Sequence, residues 1–192
     1  MTVQRRILVL AACLAACAAG AGTAAAAQIP WGKLPGLHRS PVPWTNDSSS
    51  LYRRLRPLDL HALGQEGAAV HIHAHLDVYV AGQHVKVPAL VGIDVVRQFI
   101  TELHTHDTSG VLHVESPSMR TFTLGQFFGE WGVKLSPSWV GPYPGPVLWW
   151  VNGKLRKGDP AALVLRAHQE IVVAVGVPPL HVPKSYRFPL GE

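Results

Sequence analysis

The sequence predicts an α+β fold: a small, mostly antiparallel or mixed β-sheet with one main helix. Three observations carry this. Apolar and polar residues alternate from Val70 to Val80, the period of a half-buried strand. Thr123 precedes Leu124, Phe127, Phe128 and Trp131 at helical spacing, with Gln126 placed to complete a capping box. Asn152-Gly153 separates two strand-like runs, as a two-residue hairpin turn does. Six or seven short strands, one good helix and no repeat describe one domain with tails in a chain of 192 residues.

Residues 1–27 read as an export signal. Arg5 and Arg6 precede an apolar core, and two ends are visible. Leu14-Ala15-Ala16-Cys17 has the form of a lipobox, which would leave a lipid on Cys17. Ala25-Ala26-Ala27 fits ordinary small-residue cleavage, and an uncleaved 7–27 is long enough to span a bilayer. Each outcome puts the body outside the cytoplasmic membrane, secreted or attached to the envelope through Cys17 or the apolar segment.

Residues 28–63 form a Pro-rich arm and a short helix. Trp31 and Trp44 argue against a pure linker, and apolar residues at 51, 55, 58, 60 and 63 suggest a helix broken at Pro57. Residues 64–177 form the α+β domain. Gly64 and Gly67 release the chain into the strand at 70–80, and Ala81-Gly82-Gln83 turns it into 84–88. Residues 95–101 read as a strand or a connection. Thr108-Ser109-Gly110 turns 104–107 into a strand at 111–115. A Pro/Gly/Tyr loop at 137–146 follows the helix, then strands at 147–151, 163–165 and 170–175, and residues 178–192 are a Pro-rich tail.

Charge and cysteine content narrow the function. Without Arg5 and Arg6 the 17 basic residues become 15, against 12 acidic ones. The excess is the run Arg53, Arg54 and Arg56, read as a solvated face, and no basic face interleaved with aromatics points to nucleic acid. Both cysteines, Cys13 and Cys17, lie in the signal, so a metal site in the body must use His, Asp and Glu.

The chemistry concentrates in two segments, His71-Ile72-His73-Ala74-His75-Leu76-Asp77 and Leu103-His104-Thr105-His106-Asp107 followed by His113-Val114-Glu115. They hold six of the eleven histidines. Residues i and i+2 of a strand share a face, so His73/His75, His104/His106 and His113/Glu115 are three pairs able to converge on one ion. Neutral imidazole suits zinc and copper, the first candidates. The expected ligands are His73, His75, His104, His106, His113 and Glu115, with Asp77, Asp107 and His71 behind them as acceptors that fix an imidazole. His38, His61, His84, His168 and His181 are isolated and carry no role.

The chain resembles a His-rich family of exported bacterial and archaeal proteins. The shared marks are His-x-His-x-His-Leu at 71–76, Leu-His-Thr-His-Asp at 103–107, Gly-x-x-His-x-Glu at 110–115, Phe-Thr-Leu-Gly-x-Phe-Phe-x-x-Trp-Gly at 122–132 and Val-Asn-Gly-Lys at 151–154. The resemblance covers residues 51–176; residues 95–102 depart from it by being more apolar. It implies export and no particular reaction. Residues 147–154 and 167–176 are also similar to the closing strands of β-grasp domains, without the terminal Gly-Gly of a sulfur carrier.

Three functions remain open on these residues: a metal-binding envelope protein, a metal-dependent enzyme with an open coordination position, and a structural or interaction module whose histidines stitch the sheet. No Ser-centred elbow, zincin motif or phosphate loop is present.

Overall fold

The computed structural model describes residues 28–191. The export signal at 1–27, with its candidate ends at Cys17 and Ala27, lies outside the described residues, as does Glu192. The described chain is α+β, with a mixed seven-stranded sheet and two α-helices.

The sheet is built on its longest strand, β1 (Val70–Val80). Ala81 and Gly82 both take positive φ, the backbone of a tight hairpin turn, and the chain returns as β2 (Gln83–Val85). β3 (Leu103–His104) pairs with β4 (Val111–Ser116), which lies antiparallel to the first half of β1, from Val70 opposite Ser116 to His75 opposite Val111. β5 (Val147–Val151) turns at Asn152 and Gly153, again both at positive φ, into β6 (Lys154–Leu155). β7 (Glu170–Val175) then enters between β5 and β1. It runs parallel to the second half of β1, from His75 opposite Glu170 to Val80 opposite Val175. The order is β6-β5-β7-β1-β4-β3, with β2 beside the end of β1.

The alternation in β1 does what its period requires. Ala74, Leu76, Val78 and Val80 enter the core with Leu112 and Val114 of β4 and Ile171, Val173 and Val175 of β7. Each fully buried Val, Leu or Ile contributes about 1.5–3 kcal/mol. The histidines at 71, 73 and 75 are thereby committed to the other face, because a one-residue slip would exchange the faces. Helix α2 (Leu124–Trp131) fills the core side with Leu124, Phe127, Phe128 and Trp131. Its capping box is formed: Thr123 accepts from the Gln126 N–H and Gln126 accepts from the Thr123 N–H. Gly132 ends the helix at φ 79°, a left-handed position that suits glycine.

Several elements differ from the sequence reading. Pro57 does not break α1 (Leu51–Leu58); the helix runs one residue beyond it and stops at Asp59, which is left-handed. A proline in the last turn removes one hydrogen bond and leaves the preceding turns intact. Residues 163–165 make one bridge, Val164 to Thr123, instead of a strand. Residues 95–101 fold over as a two-residue ribbon, Ile93–Asp94 against Phe99–Ile100, with Val95 and Val96 exposed and the turn held by the Asp94 carboxylate.

The arm is part of the core. Leu34 and Trp44 are buried, and the Trp44 ring meets Trp131 edge to face at 5.7 Å. Arg54 leaves the solvated face expected for its run: it is 1% exposed, and its guanidinium donates to the carbonyls of Gly36 and Asp47 at 3.2 and 2.9 Å. It clasps the arm by the backbone. At the other end the tail lies across the histidine face, where Tyr186 stacks on His75 at 3.8 Å and Phe188 meets His168.

Candidate metal centre

The strand register makes one row of imidazoles. His73 lies opposite His113, and His113 opposite His104. In the next row His71 lies opposite Glu115. The rings touch in sequence: His71–His73 at 5.1 Å, His73–His113 at 4.5 Å, His113–His104 at 5.1 Å and His106–His113 at 4.4 Å between centroids. His73, His113 and His104 are buried, whereas His71 and His106 are open to solvent.

Ligand atoms of His104, His106 and His113 lie within 4.8 Å of one another, and those of Glu66, His104 and Glu115 do so as well. His71, His73 and Glu115 form a neighbouring group that shares the same carboxylate. Glu115 is the hub. Its Oε1 is 3.1 Å from His113 Nδ1, 3.6 Å from His71 Nε2 and 3.8 Å from His73 Nε2. Its Oε2 is 4.0 Å from His104 Nε2.

Protonation follows from the partners. His104 Nδ1 is 3.0 Å from the Thr101 carbonyl, which only accepts, so Nδ1 carries the hydrogen and Nε2 the lone pair. Burial pushes the His104 pKa down to about 4, leaving the ring neutral at ordinary pH. The lone pair on Nε2 and the facing Oε2 of Glu115 are both buried without a hydrogen-bond partner. Burial opposes ionisation of Glu115, but the His113 hydrogen bond and the surrounding imidazoles outweigh it and hold the carboxyl below its usual range. A neutral donor thus faces an anionic one across 4.0 Å. Tetrahedral zinc ligands at about 2.0–2.2 Å lie roughly 3.3–3.6 Å apart, so the two atoms would close by about half an ångström to share an ion.

His75 stands apart from this row. Its Nε2 donates to the Ser109 carbonyl at 2.9 Å and its Nδ1 lies 2.9 Å from Glu170 Oε2. It groups instead with Asp77 and Glu170, so the structure does not bring it to the cluster of His104, His106 and His113. Asp77 accepts from His84 at 2.8 Å, and Asp107 accepts from the Ser109 N–H at 2.8 Å within its own turn. Neither steadies an imidazole of the row.

Glu66 and Glu170 were not singled out in the sequence. Glu66 sits in the Gly64–Gly67 stretch, and its Oε1 comes 3.4 Å from His106 Nε2 and 4.0 Å from His104 Nε2. Glu170 opens β7 with β-period spacing, but only the parallel pairing shows that it meets His75. His61 also has a partner, the buried Glu102, which takes its ring and its backbone N–H at 2.7 and 2.8 Å.

Gly92 holds the His104 strand from behind. It sits at φ +74°, and a Cβ there would lie 2.1 Å from the Leu103 carbonyl and 3.1 Å from His104 Cβ. Gly92→Ala is expected to cost about 1–3 kcal/mol through strain and displacement of that strand. A thermal melt and a zinc titration of the variant check this; unchanged affinity would show that this contact does not position His104.

Comparison with protein-family models, with curated proteins and with solved structures finds no match for the chain.

Proposed function

We propose that the protein is an exported metal-binding protein of the cell envelope, holding zinc or copper at His104, His106 and His113 with Glu115 or Glu66 as the carboxylate ligand. One observation carries the reading: His104 Nε2 and Glu115 Oε2, both buried and unpartnered, face each other at 4.0 Å. Leaving both atoms without a hydrogen-bond partner is costly, and an ion bound to both would offset that cost. His71 and His73 line the adjoining side of Glu115 and give an arriving ion further nitrogens. The basic and apolar pattern of residues 1–27 supports export, with attachment to the membrane through Cys17 or the apolar segment. The β-grasp likeness of residues 147–154 and 167–176 is supported by a first hairpin, a helix and a last strand parallel to the first.

The test is zinc and copper titration of the purified protein by calorimetry. Wild type should bind at least one equivalent more than a His104→Ala/His113→Ala double variant. Equal binding by both would overturn the site. A second reading, a metal-dependent enzyme, draws on the half-exposed His106 and Glu66, through which water or a small molecule reaches the ion position. A cobalt-substituted spectrum of a closed four-protein-ligand shell would dismiss it.

A further inference from the structure

The same face of β1 carries a second constellation that the His104 centre does not use. We propose that His75, Asp77 and Glu170 form a separate cation site, with one nitrogen and two carboxylates, for a divalent first-row metal such as manganese(II) or iron(II).

The ligand atoms of the three residues lie within 4.8 Å of one another. His75 and Asp77 project from β1 at i and i+2, and the parallel register sets Glu170 directly beside His75. His75 is fixed as metal-ligating imidazoles are: Nε2–H donates to the Ser109 carbonyl, which turns Nδ1 toward Glu170. A proton on Nδ1 makes an ion pair with Glu170 at 2.9 Å; a cation would take that proton's place from beside the pair, about 2.1 Å from each atom.

Glu170 is 1% exposed, and its second oxygen, Oε1, is buried with no hydrogen-bond partner. Leaving that oxygen without a donor is costly, and a cation offsets the cost. Asp77 brings the second carboxylate, one oxygen of which is held at 2.8 Å by His84. Hydrogen-bonded carboxylates of this kind orient a ligand from behind.

The donor set separates this position from the imidazole row. Three imidazoles select zinc or copper, whereas one imidazole with two carboxylates is the harder, oxygen-rich set that manganese(II) and iron(II) accept. The Tyr186 ring, stacked on His75, shields the site from one side, and Asp77 and His84 form its more open edge.

The experiment is manganese(II) titration of the purified protein, read by the electron paramagnetic resonance signal of the free ion, with zinc titration of the same samples. Wild type should bind manganese. Glu170→Gln and Asp77→Asn should bind it at least about tenfold more weakly, since losing a ligand costs no less than losing a group behind one. Zinc binding at the His104 centre should survive in both variants. Manganese binding that is absent in wild type, or unchanged in both variants, overturns the site. Simultaneous loss of manganese and zinc binding in both folded variants overturns its independence. Asp77 is the less buried ligand, so Asp77→Asn carries the test if circular dichroism shows that Glu170→Gln does not fold.

Discussion

Removing metal with a chelator is expected to lower the melting temperature of the protein, and adding zinc to raise it again. An ion held by the folded chain alone stabilises by RT ln(1 + [L]/Kd), about 4 kcal/mol at a thousandfold excess over Kd. For a chain of this size that corresponds to a shift on the order of 10 °C. The unfolded chain cannot match the site, because His104 and His106 meet His113 and Glu115 only when β3 and β4 pair. The effect should also shrink in the His104→Ala/His113→Ala variant. Calorimetry with and without chelator measures both. A melting temperature that chelator and zinc leave in place would favour the stitched-sheet reading.

Trp44→Ala is expected to destabilise the protein by about 3–5 kcal/mol, the range for removing a large buried aromatic. Trp44 is 2% exposed, packs against Trp131 and Tyr143, and donates its indole N–H to Ser40. Its removal leaves a cavity under α2 and deprives the arm of its anchor. The melting temperature should fall by roughly 6–20 °C, and protease should cut within 28–50 before the sheet is lost. A cost below about 1 kcal/mol would mean that the arm is not part of the cooperative unit.

What could be read from the sequence was local. The alternation in 70–80 assigned the core and histidine faces of β1 because side-chain direction in a strand depends only on parity. Thr123 and Gln126 marked the start of α2 for the same local reason. What could not be read was which strand lies on each side of β1. Residues 70–75 face β4 on one edge, and residues 75–80 face β7 on the other. That change of neighbour divides a strip of three histidines between two constellations. Sequence spacing treats His73 and His75 as a pair, but their partners are His113 and Glu115 for one and Glu170 for the other. Glu66 and Arg54 were obscured similarly, one placed by a loop fold and the other drawn inward by carbonyls of a distant arm.

The parallel pairing of β1 with β7 also sets an order of events. A chain that emerges amino end first, from a ribosome or through a membrane pore, presents His75 long before Glu170, which is 95 residues further on. The hairpin of β1 and β2 and the pairing with β4 need only nearby sequence, whereas the centre of the sheet closes with the last strand. Long-range parallel pairing is slow to form. The imidazole row can therefore take shape while the chain is still arriving, and the His75–Glu170 contact forms only at the end.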